Sequence, residues 1–305
     1  MPEFIIRLEQ VFQRYPDLDG QMHIVLNGIN LRVHRGEFLT MVGPTGCGKS
    51  TLLRLILGSE RPYKGKVFID DLEVLEPDRN RGVVFQRYSL YENRTVRQNV
   101  MFGLELERYS LLDPYLKPRH YKRQQREFKE KADEYLGRVG LIEHGDKYPY
   151  QLSGGMRQRA AIAQAMVMQP EVLIMDEPFG ALDIGTREEM QIFVLEQWGR
   201  EHQTIIFVTH DLEEAIFIGS RIVVLSHYYS KDDGTATQGS KIVKDVSVPW
   251  QQPAPTEVKH TKEFNELMLS IRHEGLDPDH LQHIHDFDLS HKDATCHDAK
   301  SSWEQ

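Results

Sequence analysis

The sequence has few cysteines and no long apolar run. Only two cysteines, Cys47 and Cys296, occur among its 305 residues, which excludes a disulfide framework and favours a reducing compartment. No apolar stretch approaches the roughly 20 residues that span a bilayer, and the N-terminal residues lack the basic stretch and apolar core of a signal peptide. We therefore expect that any membrane function requires another chain to supply the membrane-spanning segments.

The sequence also lacks an excess of positive charge. Its formal net charge is −9 and its pI is about 5.9. These values argue against a general nucleic-acid-binding surface, because such a surface carries a basic patch. The composition is 40% hydrophobic and 27% charged, which is ordinary for a globular protein. The length favours two domains, or one large α/β domain with an appendage.

Short apolar segments and helical segments alternate along the chain. Residues 4–12 and 22–34 show near-alternation of apolar residues around a turn, which predicts an antiparallel pair of strands at the edge of the fold. Residues 96–145 are predicted to be helical, with an interrupting loop at 109–120. Strands that alternate with helices predict a parallel sheet covered on both faces. These strands are predicted at Phe38–Val42, Gly82–Phe85, Val172–Asp176, Ile205–His210 and Ile222–Leu225.

The segment after the first of these strands matches the pattern G-x-x-x-x-G-K-[ST]. Its glycines allow successive backbone N–H groups to face a pyrophosphate, and the following helix adds its positive N-terminal end. Lys49 would reach the β- and γ-phosphates, Ser50 would ligate Mg²⁺, and Thr51 would bind on the α-phosphate side. The alternatives are a glycine turn without function and, at Cys47, a reactive thiol rather than a backbone role. The predicted phosphate-binding loop comprises Gly43, Pro44, Thr45, Gly46, Cys47, Gly48, Lys49, Ser50 and Thr51.

Two carboxylates follow the strand Val172–Asp176. Ligands of open α/β sheets bind at the carboxyl ends of the strands, so this position fits a second half of a nucleotide site. Asp176 is predicted to hold Mg²⁺, directly or through water, and Glu177 to orient and polarise the attacking water as the catalytic base. The alternative is an exposed acidic turn after a core strand.

Further motifs resemble one family. Residues 152–159 read LSGGMRQR and resemble the signature of ABC ATPases, and residues 178–183 read PFGALD and resemble the D-loop of that family. The resemblance implies an α/β fold, namely a P-loop NTPase core with an antiparallel β edge subdomain and a helical subdomain at about 87–165, here with a polar C-terminal extension. It also implies ATP and Mg²⁺ as cofactors and ATP hydrolysis as the activity.

The same resemblance implies roles for residues outside these motifs. Gln86 resembles the Q-loop glutamine, which senses Mg²⁺ and the attacking water. His210, followed by Asp-Leu-Glu-Glu-Ala, resembles the H-loop histidine, which contacts the γ-phosphate and helps to hold the hydrolytic water. Tyr15 lies where the family places an aromatic ring that stacks on adenine, with Phe12 as the competing candidate. The alternatives are a solvated amide, a structural histidine and a turn tyrosine.

The signature implies that two chains act together. Ser153, Gly154 and Gly155 precede a helix and form a second predicted anion site. One phosphate cannot occupy both this site and the phosphate-binding loop of the same chain. The family resolves this with a head-to-tail dimer that encloses two ATP molecules, with Asp183 near the seam. We therefore expect a second ATPase subunit, identical or closely related, as a partner.

The resemblance extends from about residue 4 to Gly275 and is strongest to bacterial importer ATPases of the nitrate, sulfonate and taurine type. It implies a transmembrane permease, a solute-binding protein, import of a small anion or organic solute, and a peripheral location on the cytoplasmic face of the inner membrane, without nucleic acid. We predict an ATPase domain at 1–248, a linker and helix at 249–275, and a flexible polar tail at 276–305. Residues 90–94 and the lengthened segment 109–126 depart from the family in the region that contacts the permease.

Other interpretations remain open. A soluble ABC ATPase that acts on ribosomes or DNA would carry two cassettes or a long coiled coil, and the sequence shows neither. Import or export of a different solute, with a regulatory tail that senses a metal, is also compatible with the motifs. The spacing of the tail residues matches no compact ligand motif, so this idea depends on composition alone. The residues concerned are His280, His283, His285, Asp286, Asp288, His291, Cys296 and His297.

Overall fold

The computed structural model describes residues 3–86, 89–108, 118–230, 238–250, 252 and 254–294, with no side chains described at 107, 108 and 118. The chain divides into two compact units, one made of residues 1–78 and 204–305 and the other of residues 79–203. Most of the predicted loop at 109–120 lies outside the described residues. Within the described ranges, no helix is long and apolar enough to cross a bilayer.

The first unit contains an antiparallel sheet. Its strands are β1 (Phe4–Pro16), β2 (Met22–His34), β4 (Lys64–Ile69) and β5 (Leu72–Glu73), in the spatial order β2-β1-β4-β5. The strands β1 and β2 pair antiparallel, which confirms the prediction from their alternating residues. One face of this pair is buried and apolar, so the alternation is that of a half-buried sheet.

Buried strands form the core of the first unit. They are β3 (Phe38–Val42), β8 (Thr204–Val208), β9 (Arg221–Ser226) and β11 (Lys241–Ser247). The strand β3 runs parallel to β8 on one side and to β9 on the other, and β11 pairs antiparallel with β9. Every side chain of β3, β8 and β9 is buried, as expected for parallel strands that are covered on both faces. The carboxyl ends of these three strands therefore lie at one edge of the sheet, where α/β proteins bind ligands.

Helices of the first unit follow these strands. They are α1 (Lys49–Leu57), α6 (Leu212–Ile218) and α7 (Lys262–Ile271). The helix α1 begins directly after the phosphate-binding loop and buries four aliphatic side chains against the unit. It ends at Gly58, which adopts a left-handed conformation with φ 84° and donates its N–H to the last turn. Through this apolar face, α1 packs against the core and fixes the end of the loop that precedes it.

Among the described residues of the second unit are two parallel strands and four α-helices. The strands β6 (Arg81–Val84) and β7 (Val172–Asp176) pair in parallel, so their carboxyl ends lie side by side. The helices are α2 (Val96–Arg108), α3 (Pro118–Arg138), α4 (Gly154–Met166) and α5 (Ile184–Glu201). The helices α2, α3 and α4 fall within the predicted helical subdomain.

A buried asparagine shapes the segment 90–94, for which we expected a departure from the family pattern. The side chain of Asn99 is fully buried at the start of α2. Its amide donates to the carbonyl oxygens of Tyr91 (3.1 Å), Arg94 (3.1 Å) and Thr95 (2.9 Å), and its Oδ1 accepts from the N–H of Tyr91 (2.7 Å). One amide side chain thus satisfies four backbone groups, and the unusual segment has a defined conformation.

The C-terminal residues differ from the expectation of a flexible tail as far as the structure describes them. After α7 comes one π-helical turn, Arg272–Leu276, and β12 (Gln282–His283) then pairs in parallel with β10 (Tyr229–Ser230). The ring of Phe287 packs edge-on against Tyr229, with 5.7 Å between the ring centroids. His291 is buried and donates its backbone N–H to the carbonyl of Asp245.

Two buried cations, Arg221 and Lys244, lie in the part of the first unit that these residues contact. Arg221 forms two hydrogen bonds of 2.7 Å with the carboxylate of Asp245, and both side chains are buried below the His291 segment. Lys244 is also buried and pairs with Glu274 and with Asp288 of the tail. Because an isolated charge is costly to bury, the ion pair of Lys244 with Asp288 helps to hold residues 276–294 in place.

Candidate functional site

The phosphate-binding loop lies directly after β3, as the sequence predicts. Gly43 permits a close approach of the backbone, because a Cβ there would lie 2.1 Å from the carbonyl oxygen of Leu225 and 2.7 Å from the Sγ of Cys47. Gly48 precedes the first turn of α1 with φ 94°, a conformation that favours glycine. The ammonium of Lys49 donates to the carbonyl oxygens of Gly43 (2.7 Å) and Pro44 (3.1 Å). The loop therefore holds its cation beside the N-terminus of α1.

Cys47 has the environment of a structural residue. Its side chain is buried, and this burial raises the pKa of the thiol, against the opposing effect of the nearby Lys49. A reactive cysteine needs a lowered pKa and access to solvent. The geometry thus supports the backbone role for Cys47 over a reactive thiol.

Two histidines follow the two strands that flank β3, at the same edge of the sheet as the loop. His210 follows β8, the parallel neighbour of β3, and its side chain is exposed. Thr209, which precedes it, is buried and donates its N–H to the carbonyl of Met41, so the end of β8 is fixed against β3. His227 follows β9, the neighbour of β3 on the other side. Its burial, and second the charge of Lys49, lower the pKa of His227, so this imidazole favours its neutral form.

Our sequence analysis did not single out His227. A histidine that follows a parallel strand next to β3 must lie at the same edge as the loop, but only the structure shows that β9 is such a neighbour. No motif surrounds His227, however, and a histidine after an apolar strand is usually structural. The order of the strands shows that His227 lies at the same edge of the sheet as the loop.

Tyr15 contacts residues of α1 and of the segment after it. Its hydroxyl donates to the carboxylate of Glu60 (2.7 Å) and accepts from Arg54 (3.2 Å), and Arg54 also donates to the hydroxyl of Thr51 (3.2 Å). Tyr15 is half-buried, whereas the competing Phe12 is buried. An adenine-stacking ring must offer an accessible face, so the structure favours Tyr15.

Replacement of Tyr15 by alanine is expected to weaken ATP binding about fivefold, because a stacked ring contributes about 1 kcal/mol beyond its buried area. Tyr15→Phe keeps the ring and loses only the contacts with Glu60 and Arg54, so its affinity should stay within about twofold. Titration with a fluorescent ATP analogue measures both variants. Equal affinities for the alanine variant and the unmodified chain would contradict the stacking role.

In the second unit, the predicted catalytic residues Gln86 and Glu177 are adjacent. Gln86 lies two residues beyond β6 and Glu177 directly follows β7. The amide Nε2 of Gln86 donates to Oε2 of Glu177 at 2.7 Å. Glu177 has φ 47°, a left-handed conformation that costs roughly 1–3 kcal/mol for a residue with a side chain and that tends to cluster at functional sites. Asp176, the last residue of β7, is partly exposed beside it.

The signature residues begin α4 as predicted. The hydroxyl of Ser153 caps the helix by accepting from the N–H of Met156 (3.3 Å), and Gly154 and Gly155 form its first turn. A Cβ at Gly155 would lie 3.3 Å from a methyl group of Leu182, so a small residue suits this contact with the segment 178–183. Gly155 of the signature therefore lies next to Leu182 of the predicted D-loop within the second unit.

Asp183 caps the next helix. Its Oδ1 accepts from the N–H of Thr186 (3.1 Å) at the start of α5, and this hydrogen bond lowers the pKa of the carboxyl. Asp183 is exposed and therefore carries its negative charge at neutral pH on the surface of the second unit.

The predicted site residues fall into two groups. The loop 43–51, Tyr15 and His210 belong to the first unit, whereas Gln86, Asp176, Glu177, Asp183 and the signature residues 153–155 belong to the second. In the part of the chain that the structure describes, no three histidine, cysteine or acidic side chains are placed to hold a metal ion. The tail histidines up to His291 thus form no direct metal centre, and Cys296 and His297 lie outside the described residues.

A buried parallel strand, a glycine loop that opens a helix, and carboxylates at the end of another parallel strand define a P-loop nucleotide-hydrolysing protein. The family described as ABC transporter matches residues 26–180. An uncharacterized ABC transporter ATP-binding protein of Methanocaldococcus jannaschii is 46% identical over 255 residues, which cover 84% of this chain and 86% of that protein. The nitrate import ATP-binding protein NrtD of Synechocystis sp. is 46% identical over 203 residues, which cover 67% of this chain and 71% of that protein.

Solved structures agree with this assignment. The dimeric structure of a post-hydrolysis state of an ATP-binding cassette, bound to ADP and Pi, matches with a TM-score of 0.66 and 28% identity over 81% of this chain and 100% of that chain. The chain belongs to the ABC transporter family, and it is an ATP-binding, ATP-hydrolysing cassette of that family. The resemblance deduced from the motifs, and the fold class, are thereby confirmed.

Proposed function

We propose that this chain drives the import of a small anion or organic solute through a separate transmembrane permease, from the cytoplasmic face of the inner membrane. The observation that carries the proposal is the hydrogen-bonded pair of Gln86 and Glu177 at the carboxyl ends of β6 and β7, within a chain that is 46% identical to a nitrate import ATP-binding protein. A hydrolase needs a base for the attacking water and, beside it, a residue that senses Mg²⁺ and this water. In our proposal Glu177 is the base and Gln86 is the sensing residue.

The loop residues support binding of ATP phosphates. The ammonium of Lys49, held beside the start of α1, can exchange its carbonyl partners for the β- and γ-phosphate oxygens. Tyr15 presents its ring for adenine. His210, at the end of β8, is placed at the same edge as the loop and can contact the γ-phosphate.

The donor set fits Mg²⁺, which prefers oxygen ligands and keeps several waters. Ser50 offers a hydroxyl, Asp176 a carboxylate and Gln86 an amide oxygen, and we propose that these three residues hold the ion. When bound, Mg²⁺ neutralises the charge that develops on the phosphates. Glu177 then accepts the proton of the attacking water, and His210 helps to hold that water in place.

The signature supports a dimer. Ser153, Gly154 and Gly155 offer N–H groups and a hydroxyl at the N-terminus of α4, a site for the γ-phosphate of ATP bound to another chain. We propose a head-to-tail pair, of identical or closely related subunits, in which each ATP lies between the loop of one chain and the signature of the other. Asp183, exposed and ionised next to the signature, lies near this seam. Closure of this dimer upon ATP binding, and its opening after hydrolysis, would change the conformation of the permease.

A pull-down tests the proposal. Tagged Glu177→Gln protein is isolated from native membranes in mild detergent with ATP and Mg²⁺, and its partners are identified by mass spectrometry. We expect a permease with several membrane spans, together with a solute-binding protein. Lys49→Ala protein, which should fail to close on ATP, is the matched control. Recovery of ribosomal or DNA-repair proteins without a membrane protein would contradict transport and favour the soluble alternative.

The solute requires a second measurement. The recovered complex is placed in proteoliposomes, and ATP-dependent accumulation of nitrate, taurine and an alkyl sulfonate is compared. Accumulation of one of these would support the branch that the sequence resembles. Transport of none of them, with an active ATPase, would show that the permease carries a different solute.

A further inference from the structure

Four cationic side chains form a stripe along the N-terminal part of helix α3. They occur at positions i, i+3, i+4 and i+7, which share one face of an α-helix. All four side chains are exposed, and no acidic residue occurs between positions 118 and 126. This basic stripe comprises Arg119, Lys122, Arg123 and Arg126.

The basic stripe lies opposite the face through which α3 packs. Phe128, Ala132 and Tyr135 of α3 are buried. With about 3.6 residues per turn, these three residues lie on the other side of the helix axis from the stripe. The cations therefore face solvent, and the packing of the second unit does not require them.

The basic stripe is an exception to the charge of the whole chain. The chain has a formal net charge of −9, whereas positions 118–126 carry four cations and no anion. From position 127 onward, acidic and basic residues are interspersed along α3. A surface that serves only solubility mixes both signs in this way. The separated positive charge thus indicates an anionic partner.

The cations also lie where the electrostatics of a helix disfavour them. The N-terminus of a helix carries a partial positive charge that acidic residues offset, and the first turn of α3 contains none. Within the stripe, two pairs of like charges are spaced i, i+4, which also destabilises a helix. These pairs are Arg119 with Arg123 and Lys122 with Arg126.

One acidic residue of α3 compensates the stripe in part. Arg123 pairs with Glu127 at 3.0 Å, but the two side chains are 80% and 51% exposed. Such an exposed pair contributes little to stability, and it leaves the arginine accessible. Negative charge placed against the stripe from outside would offset the repulsion between its cations.

The stripe fits a lipid surface better than a protein or a nucleic acid. It extends for about 10 Å along the helix, and its long side chains can each reach a headgroup phosphate of a flat layer. Clusters of four or more lysines and arginines on one helix are typical of contact with anionic lipids. A protein interface centres on apolar and aromatic side chains, whereas the stripe consists of cations. The acidic chain as a whole lacks the excess of positive charge that a nucleic-acid-binding domain carries.

We propose that the basic stripe of α3 binds the anionic headgroups of a lipid bilayer. This contact belongs to the chain itself and adds to the contact with a permease, on which it does not depend. Each cation near an anionic surface raises the affinity about fivefold, so the four cations together give reversible binding. Acidic residues farther away oppose it only weakly, because the Debye length is about 8 Å at physiological salt.

Flotation of the purified full chain with lipid vesicles tests the proposal. One set of vesicles contains phosphatidylcholine and phosphatidylglycerol in equal parts, and the other contains phosphatidylcholine alone. We expect binding to the mixed vesicles and at least about tenfold weaker binding to the uncharged ones. In about 1 M salt, where the Debye length falls to about 3 Å, the chain should be released.

Charge reversal locates the binding surface. Lys122→Glu together with Arg126→Glu should weaken the affinity for the mixed vesicles at least about 25-fold, because two attractions are lost and two repulsions are added. Lys66→Glu together with Lys262→Glu is the matched control, with the same change of net charge at two exposed positions outside the stripe. The control should bind within about threefold of the unmodified chain, since exposed charges beyond a Debye length are screened.

Failure of the experiment has a defined form. If circular dichroism shows that the glutamate variant does not fold, Lys122→Gln with Arg126→Gln replaces it, with an expected loss of at least about tenfold. The proposal is wrong if the unmodified chain does not float with the mixed vesicles, if it binds the uncharged vesicles equally, or if the stripe variant binds as tightly as the control. Absence of flotation, together with loss of the permease from the pull-down of the stripe variant, would show that the stripe binds a protein instead. None of these readouts requires ATP hydrolysis or transport, so their failure would leave the proposed function intact.

Discussion

Glutamine in place of Glu177 is expected to lower the rate of ATP hydrolysis at least ~100-fold and to leave the affinity for ATP nearly unchanged. A 100-fold loss corresponds to about 2.7 kcal/mol of transition-state stabilisation. The substitution retains the size of the side chain but removes the carboxylate that we propose accepts the proton of water. An amide oxygen at position 177 can still accept the hydrogen bond from Gln86, now 2.7 Å from the carboxylate. The local structure should therefore persist while the chemistry fails.

Phosphate release in a single turnover, together with ATP titration, measures this effect. Glu189→Gln makes the same change on an exposed face of α5 and serves as the control, which should hydrolyse ATP at the unmodified rate. A Glu177→Gln protein with normal turnover would remove Glu177 from the role of base. A variant that also loses ATP affinity would indicate instead that the carboxylate mainly shapes the binding site.

The second large effect concerns the lysine of the loop. Lys49→Ala is expected to reduce ATP affinity at least ~100-fold, because we propose that this ammonium pairs with the β- and γ-phosphates. The fold should survive, since the ammonium of Lys49 donates to carbonyls and to a sulfur of its own loop. Hydrolysis should fall with affinity, in contrast to the Glu177→Gln protein.

Titration with a fluorescent ATP analogue, and a melting curve for each protein, check this result. Lys66→Ala is the matched control, because Lys66 lies in β4 and pairs with Glu73 on an exposed surface. It should bind ATP normally. If Lys49→Ala binds ATP as tightly as the unmodified chain, the loop is not the phosphate site, and the assignment of the loop would have to be abandoned.

Short-range patterns were sufficient to predict the elements around the candidate site. The run Phe38–Val42 is continuously apolar and precedes glycines, and such a run next to helical segments favours a buried parallel strand. The same reasoning located the strands that end before Glu177 and His210. The alternation in β1 and β2 predicted their antiparallel pairing. These predictions succeeded because side-chain periodicity directly reflects which face of an element is buried.

Contacts between residues that are distant in sequence could not be predicted in the same way. The hydrogen bond of Gln86 to Glu177 joins residues 91 positions apart, and it depends on the pairing of β6 with β7. Tyr15 was preferred to Phe12 from its position in the sequence, and the structure adds that the ring of Phe12 is buried. His227 became visible as a neighbour of the loop only through the order of the strands. Periodicity within one segment contains no information on strand order.

The C-terminal segment shows that composition alone does not predict whether a polar segment is ordered. Its polar residues predict a flexible tail when they are counted alone. In the structure, Lys244 and Arg221 are buried on the first unit, and residues up to 294 pack over them, with Asp288 as one of the anionic partners. A polar segment becomes ordered when its charges neutralise buried charges elsewhere in the fold.

The motifs by themselves determined the family and its nucleotide chemistry, because phosphate binding requires particular residues at fixed local spacing. Only the tertiary structure decided which of these residues touch, which ring faces solvent and where the C-terminal residues lie. Those properties arise from strand pairing and from the burial of charge, and both join parts of the chain that the sequence keeps far apart.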